Sequence, residues 1–120
     1  MGRLLVHLST GPENPTRAAL AFLVARTARQ KGHEVDVFLA GDAVGFLRDA
    51  TLDAAQGVGT GSLREHFDAL AGGGARFFAS KMSSNARALD ATAVGDKSVE
   101  FATPDQLVQL TFEADRVLSY

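Results

Sequence analysis

The 120-residue chain carries 12 lysines and arginines against 14 acidic residues, and it contains no cysteine. A charge balance this close to neutral argues against a phosphate-backbone binder, so nucleic acid is not an expected partner. The missing cysteines remove disulfides, thiolate metal sites and cysteine nucleophiles together, and no apolar stretch approaches the roughly 18 residues of a membrane span. The apolar run near Met1 is too short for a secretory signal, so a cytoplasmic protein is expected. Composition shows no break, which predicts a single domain over residues 1–120, large enough to bury a core without staples.

Arg3-Leu-Leu-Val-His-Leu-Ser9 is nearly continuous in apolar residues, the pattern of a parallel strand covered on both faces, and is read as the central strand. His7 within it is expected to be a buried, hydrogen-bonded core residue and not a catalyst. Thr10 to Asn14 turn the chain, with Asn14 suited as N-cap and Pro15 as the first helical residue. The helix should run to about Lys31, with Arg26, Arg29 and Lys31 near its negative pole and Gly32 closing it. Its middle, Ala18 to Ala25, is apolar all round, and such a helix is normally covered on more than one side. The sheet would cover one side and a partner subunit the other, unless the alanines are simply good helix formers left exposed.

Glu34 to Ala40 reads as the second strand, joined to the first by a right-handed parallel crossover. Asp42 is placed as the N-cap of a short helix through Phe46 and Leu47, at the same end of the sheet as Thr10. Residues 51–61 contain Gly57, Gly59 and Gly61 and are read as a flexible connection; no strand precedes them, so they are not a dinucleotide loop. Ser62 to Leu70 is a helix with Thr60 or Ser62 as cap, Ser62 and Glu65 standing at capping-box spacing. Leu63, Phe67 and Leu70 point inward, His66 falls off their stripe into solvent, and Gly72-Gly73-Gly74 ends the helix.

Ala75 to Ala79 is the third strand, and from Ser80 to Leu89 the chain turns from apolar to small polar residues. In an open α/β sheet ligands are met at such a junction, beyond the carboxyl ends of the strands. Ser80 or Ser83 caps the helix that follows, and Arg87 leans back toward its mouth. With Lys81, with Thr10, Gly11 and Asn14 of the first turn, and with Asp42, these residues form a candidate pocket for a small anionic ligand or a partner's loop. An equal alternative has Arg87 paired to a carboxylate such as Asp90, or to a neighbouring subunit. Asp90 to Lys97 reads as a loop, Val99 to Phe101 as a short edge strand, Pro104 to Glu113 as a helix with Leu107, Val108 and Leu110 inward, and Asp115 to Tyr120 as the fifth strand.

No serine sits in a nucleophile-elbow pattern, and the three histidines have no metal-ligand neighbours at helical spacing. No catalytic residue, metal or cofactor is therefore assigned. An enzyme would need a group with a perturbed pKa, and near this end only Asp42 and His7 qualify.

Three segments together carry a resemblance: Thr10-Gly-Pro-Glu-Asn-Pro-Thr-Arg-Ala18, Gly32-His-Glu-Val-Asp-Val-Phe-Leu-Ala-Gly-Asp-Ala-Val44, and Ala114-Asp-Arg-Val-Leu118. In order and spacing they resemble the DsrE/DsrF-like group, and they are similar to the small sulfur-relay subunits of the Tus type. The resemblance spans the chain. It implies a three-layer α/β/α sandwich on a five-stranded parallel sheet and assembly into trimers or hexamers, some through paired trimers. In sulfur-carrying members the third strand is followed by a persulfide-holding cysteine, small residues and an arginine. The match here puts Ser80 at the cysteine, Arg87 at the arginine and Ala88 where a glycine is usual. A serine hydroxyl cannot hold a persulfide, so the resemblance implies a cysteine-less module that binds a small ligand or a partner. An enzyme of unknown type, related to sulfur metabolism and using a non-cysteine site at the carboxyl ends of the strands, is the alternative.

Overall fold

The computed structural model describes residues 1–120. In chain order the first elements are β1 (Arg3–Leu8), α1 (Pro15–Gln30), β2 (Glu34–Leu39), a 3-10 helix (Gly41–Leu47), α2 (Asp49–Ala54), β3 (Gln56–Gly57) and β4 (Gly61–Ser62). They are followed by α3 (Leu63–Gly72), β5 (Arg76–Ser80), α4 (Lys81–Ala86), α5 (Ala91–Val94), β6 (Val99–Ala102), α6 (Pro104–Glu113) and β7 (Arg116–Ser119). Five strands form one sheet in the order β6-β5-β2-β1-β7, every pair parallel. Helices flank both faces. None of them is long and apolar enough to cross a membrane.

β1 is an interior strand, but the middle place belongs to β2, which lies between β1 and β5. This corrects the reading of the first strand as central. Successive crossovers step outward from β1 through β2 and β5 to β6, and the last crossover, through α6, returns to the free side of β1. β6 stands at an edge, as its shortness suggested.

Strand side chains alternate between faces, and here they split the core in two. Val6, Leu8, Val37, Leu39, Phe77 and Ala79 point to the side of α1 and α3, where Phe22, Phe67 and Phe77 contact one another with ring centroids 4.5–6.3 Å apart. Leu5, Phe38, Phe78 and Ala102 point to the other side and meet Leu110 of α6. Each valine, leucine or phenylalanine among them removed fully from water contributes about 1.5–3 kcal/mol, so the larger cluster dominates.

The ends of α1 follow their signals. Asn14 Oδ1 accepts the Arg17 N–H at 3.1 Å, Pro15 opens the helix, and Gly32 follows its end with φ +92°. Much of the apolar middle is covered within the chain, while Leu20 stays exposed and Leu23 and Val24 half-buried. Ala18, Ala19, Ala21, Phe22 and Ala25 are fully buried within the single chain, because α3 and the β3–β4 hairpin cover the side of α1 that the sheet leaves free. That hairpin is the segment expected to be a flexible connection. It is ordered: Val58 N–H donates to Thr16 Oγ1 at 3.0 Å, and a Cβ on Gly57 would come within 2.9 Å of Ala19 Cβ.

His66, expected in solvent, is buried. Its Nε2 lies 2.7 Å from the Thr60 carbonyl and its Nδ1 3.3 Å from Arg26 Nη1; the carbonyl requires Nε2 to be the protonated nitrogen, leaving Nδ1 to accept from the arginine. The hairpin supplies that carbonyl, and no local pattern in the sequence announces it. The stretch 90–97 is not a plain loop, since Asp90 Oδ1 accepts from Ala93 N–H and starts α5. On α6, Leu110 is buried and Leu107 half-buried, but Val108 is exposed.

Candidate functional site

The carboxyl ends of β1, β2 and β5 bring most of the singled-out residues together, and the structure gives nearly all of them a partner within the chain. Ser80 ends β5 and caps α4, its Oγ accepting the Ser83 N–H at 3.1 Å. Ser83 is not the cap. Its Oγ accepts the Gly41 N–H at 2.9 Å and so ties α4 to the turn after β2. Asp42 makes no N-cap bond to the 3-10 helix; its Oδ1 accepts from Arg87 Nη2 at 2.9 Å. That corrects its placement as a cap and names the carboxylate that Arg87 uses, which is not Asp90. The arginine is held further by its own Nη1, which donates to the Ser83 carbonyl at 3.0 Å, while Arg48 Nη2 donates to the Arg87 carbonyl at 3.2 Å.

Gly11 presses against the same turn. A Cβ built on it would lie 2.4 Å from the Asp42 carbonyl oxygen, so only glycine lets the two backbones approach this closely. Its N–H donates to Glu13 Oε1 at 2.9 Å. Asn14 is occupied as the α1 cap, and Thr10 turns away toward β7, donating to the Tyr120 carbonyl at 3.3 Å. Lys81 is exposed at the start of α4.

The end of α4 has a definite geometry. Leu89 N–H donates to the Ser84 carbonyl at 2.9 Å and Ala88 N–H to the Asn85 carbonyl at 3.2 Å. This is the paired bonding of a Schellman C-cap, whose left-handed residue is usually glycine. Ala88 occupies it with φ +55°, at the position where the resemblance expects glycine.

Concave surface at this end is a cleft of about 430 Å3 at the first turn, between Pro12, Pro15, Ala50, Thr51 and Ala54, which none of the candidate residues lines. A cleft of about 640 Å3 sits at the opposite end of the sheet, between Gly2, Arg3, His33, Asp115 and Arg116, and a smaller one of about 190 Å3 lies beside Arg3, Arg29 and Arg76. At that end Asp36, fully buried in β2, accepts two bonds of 2.8 Å from Arg76 and two longer ones from Arg3 Nη1. The carboxylate holds the Arg76 guanidinium above its ordinary pKa. Sequence reading passed over this cluster; the available signal was an aspartate inside an otherwise apolar strand, facing Arg76 in the aligned strand.

His7 is half-buried, and its Nε2 is enclosed without a hydrogen-bond partner. The expected buried hydrogen bond is therefore absent, and burial pushes the imidazole below its ordinary pKa. Its ring meets the edge of Phe38 at 5.8 Å between centroids.

The sequence pattern of the DsrE/DsrF-like family matches residues 3–120. This chain belongs to the DsrE/DsrF-like family. It is a cysteine-less member. Among solved structures it is similar to the ychN protein from E. coli, at 20% identity and a TM-score of 0.80 over 100% of both chains. It is also similar to MTH1491, a protein of unknown function from Methanobacterium thermoautotrophicum, at 16% identity and a TM-score of 0.77 over 100% of both chains. A third similar structure is BT1422 from Bacteroides thetaiotaomicron, at 12% identity and a TM-score of 0.74 over 99% of this chain and 95% of that one. At these identities the likeness concerns the fold. No curated protein matches the sequence. For this DsrE-like chain the sheet order and the helices on both faces follow the family architecture, and Ser80, Asp42 and Arg87 lie where the strands open.

Proposed function

We propose that this DsrE/DsrF-like chain is a protein-binding, self-associating module without sulfur-carrier activity. One observation carries the reading: at the carboxyl ends of the strands, three of the donors that would receive a small anion, Arg87 and the Gly41 and Ser83 N–H groups, already have acceptors within the chain. Asp42 neutralises Arg87, Ser80 takes the Ser83 N–H, and Ser83 takes the Gly41 N–H. An anion would have to displace these bonds, and replacing a hydrogen bond with an equivalent one yields little net free energy. A partner protein needs no such exchange. Large apolar side chains are exposed on α6 and β7 instead, among them Phe112 at 86%. Assembly into a trimer or hexamer is part of the proposal and is supported by the family resemblance.

The test has two arms. The wild-type protein, incubated with a persulfide donor and weighed intact, is expected to gain no sulfur, while Ser80→Cys is expected to gain one atom and to react with alkylating agents faster than a cysteine on an exposed helix face. Calorimetric titration with sulfate or phosphate is expected to show no saturable heat. Sulfur on the wild-type chain would overturn the first part, and a saturable anion site abolished by Arg87→Ala would restore the small-ligand reading.

A further inference from the structure

The outer edge of β7 has no role in the reading so far. β7 pairs with β1 on one side only, and all four of its residues are exposed. Just beyond it, Tyr120 directs both main-chain groups at β1: its N–H donates to the His7 carbonyl at 2.9 Å and its carbonyl accepts the Ser9 N–H at 3.2 Å. Main-chain groups of a parallel strand alternate in direction, and the register runs unbroken back to Arg116. Arg116, Leu118 and Tyr120 therefore bond to β1, while Val117 and Ser119 send their N–H and C=O groups outward. The usual devices that blunt an edge are shortness, a charged side chain, a proline, a bulge or a covering segment, and β7 has the first two in its four residues and Arg116. The run Arg116-Val-Leu-Ser119 has neither proline nor lysine.

The side chains add apolar surface on both faces of this edge. Leu118 aligns with Val6 on the α1 side and is 39% exposed, and Val117 aligns with Leu5 on the α6 side and is 41% exposed. Val108 and Phe112, one turn apart on the helix that leads into β7, are exposed as well.

We propose that two copies of this chain join edge to edge through β7, antiparallel, about a twofold axis beside Leu118, making one continuous sheet. A second copy is the occupant because the edge is complementary to itself in this register. Leu118 meets Leu118 of the second copy in a non-hydrogen-bonded pair, where side chains approach most closely. Val117 of each copy then lies opposite Ser119 of the other, and the outward groups of both residues bond to each other. Arg116 falls opposite Tyr120 on the α1 side, so a guanidinium meets an aromatic ring. Moving the axis to Val117 would set Arg116 against Leu118, a charge on an apolar side chain. A short edge lies at the small end of specific interfaces, so the contact dissociates in the micromolar range. Of the trimer and hexamer proposed above, a twofold contact selects the hexamer, made of two trimers.

Because the chain has no cysteine, Leu118→Cys creates a sole thiol. Its Cα would stand about 4.5 Å from its image, within disulfide range, whereas the images of Val117→Cys lie two residues apart along the strands and out of reach. Under mild oxidation Leu118→Cys is expected to form a covalent dimer at least about tenfold faster than Val117→Cys. Val117→Pro removes an outward N–H from each copy and spares the bonds to β1. Sedimentation equilibrium is expected to show the assembly halved, with association weakened by about thirtyfold. Equal cross-linking rates, or an oligomeric wild type that Val117→Pro leaves unchanged, would overturn the β7 contact while leaving self-association standing. A wild-type chain that is monomeric at the highest soluble concentration would overturn both.

Discussion

Replacing Ala88 with glycine is expected to stabilise the protein by about 0.5–1 kcal/mol, a direction opposite to that of most glycine substitutions. Ala88 is the left-handed residue of the Schellman cap that ends α4, with φ +55°, and its side chain is exposed, so removing the methyl sacrifices no packing. A left-handed conformation costs a residue with a Cβ about 1–2 kcal/mol. Glycine escapes that cost but returns roughly 0.5–1 kcal/mol through the larger freedom of the unfolded chain, and the difference is the net gain. At this chain length the melting temperature should rise by about 2–4 °C. Urea unfolding with an unchanged m-value, together with a thermal melt, measures it. Ala86→Gly, at the last helical residue of α4, serves as the control and is expected to destabilise by about 0.5–1 kcal/mol. If Ala88→Gly lowers stability as Ala86→Gly does, residue 88 is not left-handed and the cap assignment fails.

Gly11→Ala should cost about 1–3 kcal/mol, because the added methyl meets main chain that cannot rotate away; the clash is with the Asp42 carbonyl. Urea midpoints measure this, and a neutral result would show that the first turn moves freely against the turn after β2. A second expectation concerns pH. Burial depresses the His7 pKa in the fold from its ordinary 6.5, so the unfolded chain takes up the proton more readily. His7 therefore supports the fold fully above about pH 6.5, and its contribution is lost as the pH falls through the lowered value. Melting temperatures should fall across this window in the wild type and fall less in His7→Leu. Asp49, held down by Lys97 and Arg64, responds only below its ordinary 3.8 and does not interfere. An identical slope in both proteins would remove His7 from the account.

Local chemistry in the chain already specified a good part of this protein. Asn14 and Pro15 start α1 because an oxygen acceptor and a fixed φ act within one turn, and Ser80 and Ser62 cap their helices by the same short reach. The apolar runs at 3–8, 34–39 and 76–80 are strands buried on both faces, which their composition declares without reference to anything distant. The ordered motifs that resemble the DsrE/DsrF-like family, and the lack of cysteine, are likewise matters of sequence alone. What the tertiary structure decided is pairing between residues far apart in the chain. Asp42 leaves its cap position because the fold sets Arg87 beside it. His66 leaves solvent because a hairpin closes over it, and the alanines of α1 are covered because α3 and the same hairpin reach them. A periodic pattern can say that a face must be covered, but not by what. Covering depends on where crossovers return the chain, and the free energy that selects those contacts is shared among segments that no local window contains.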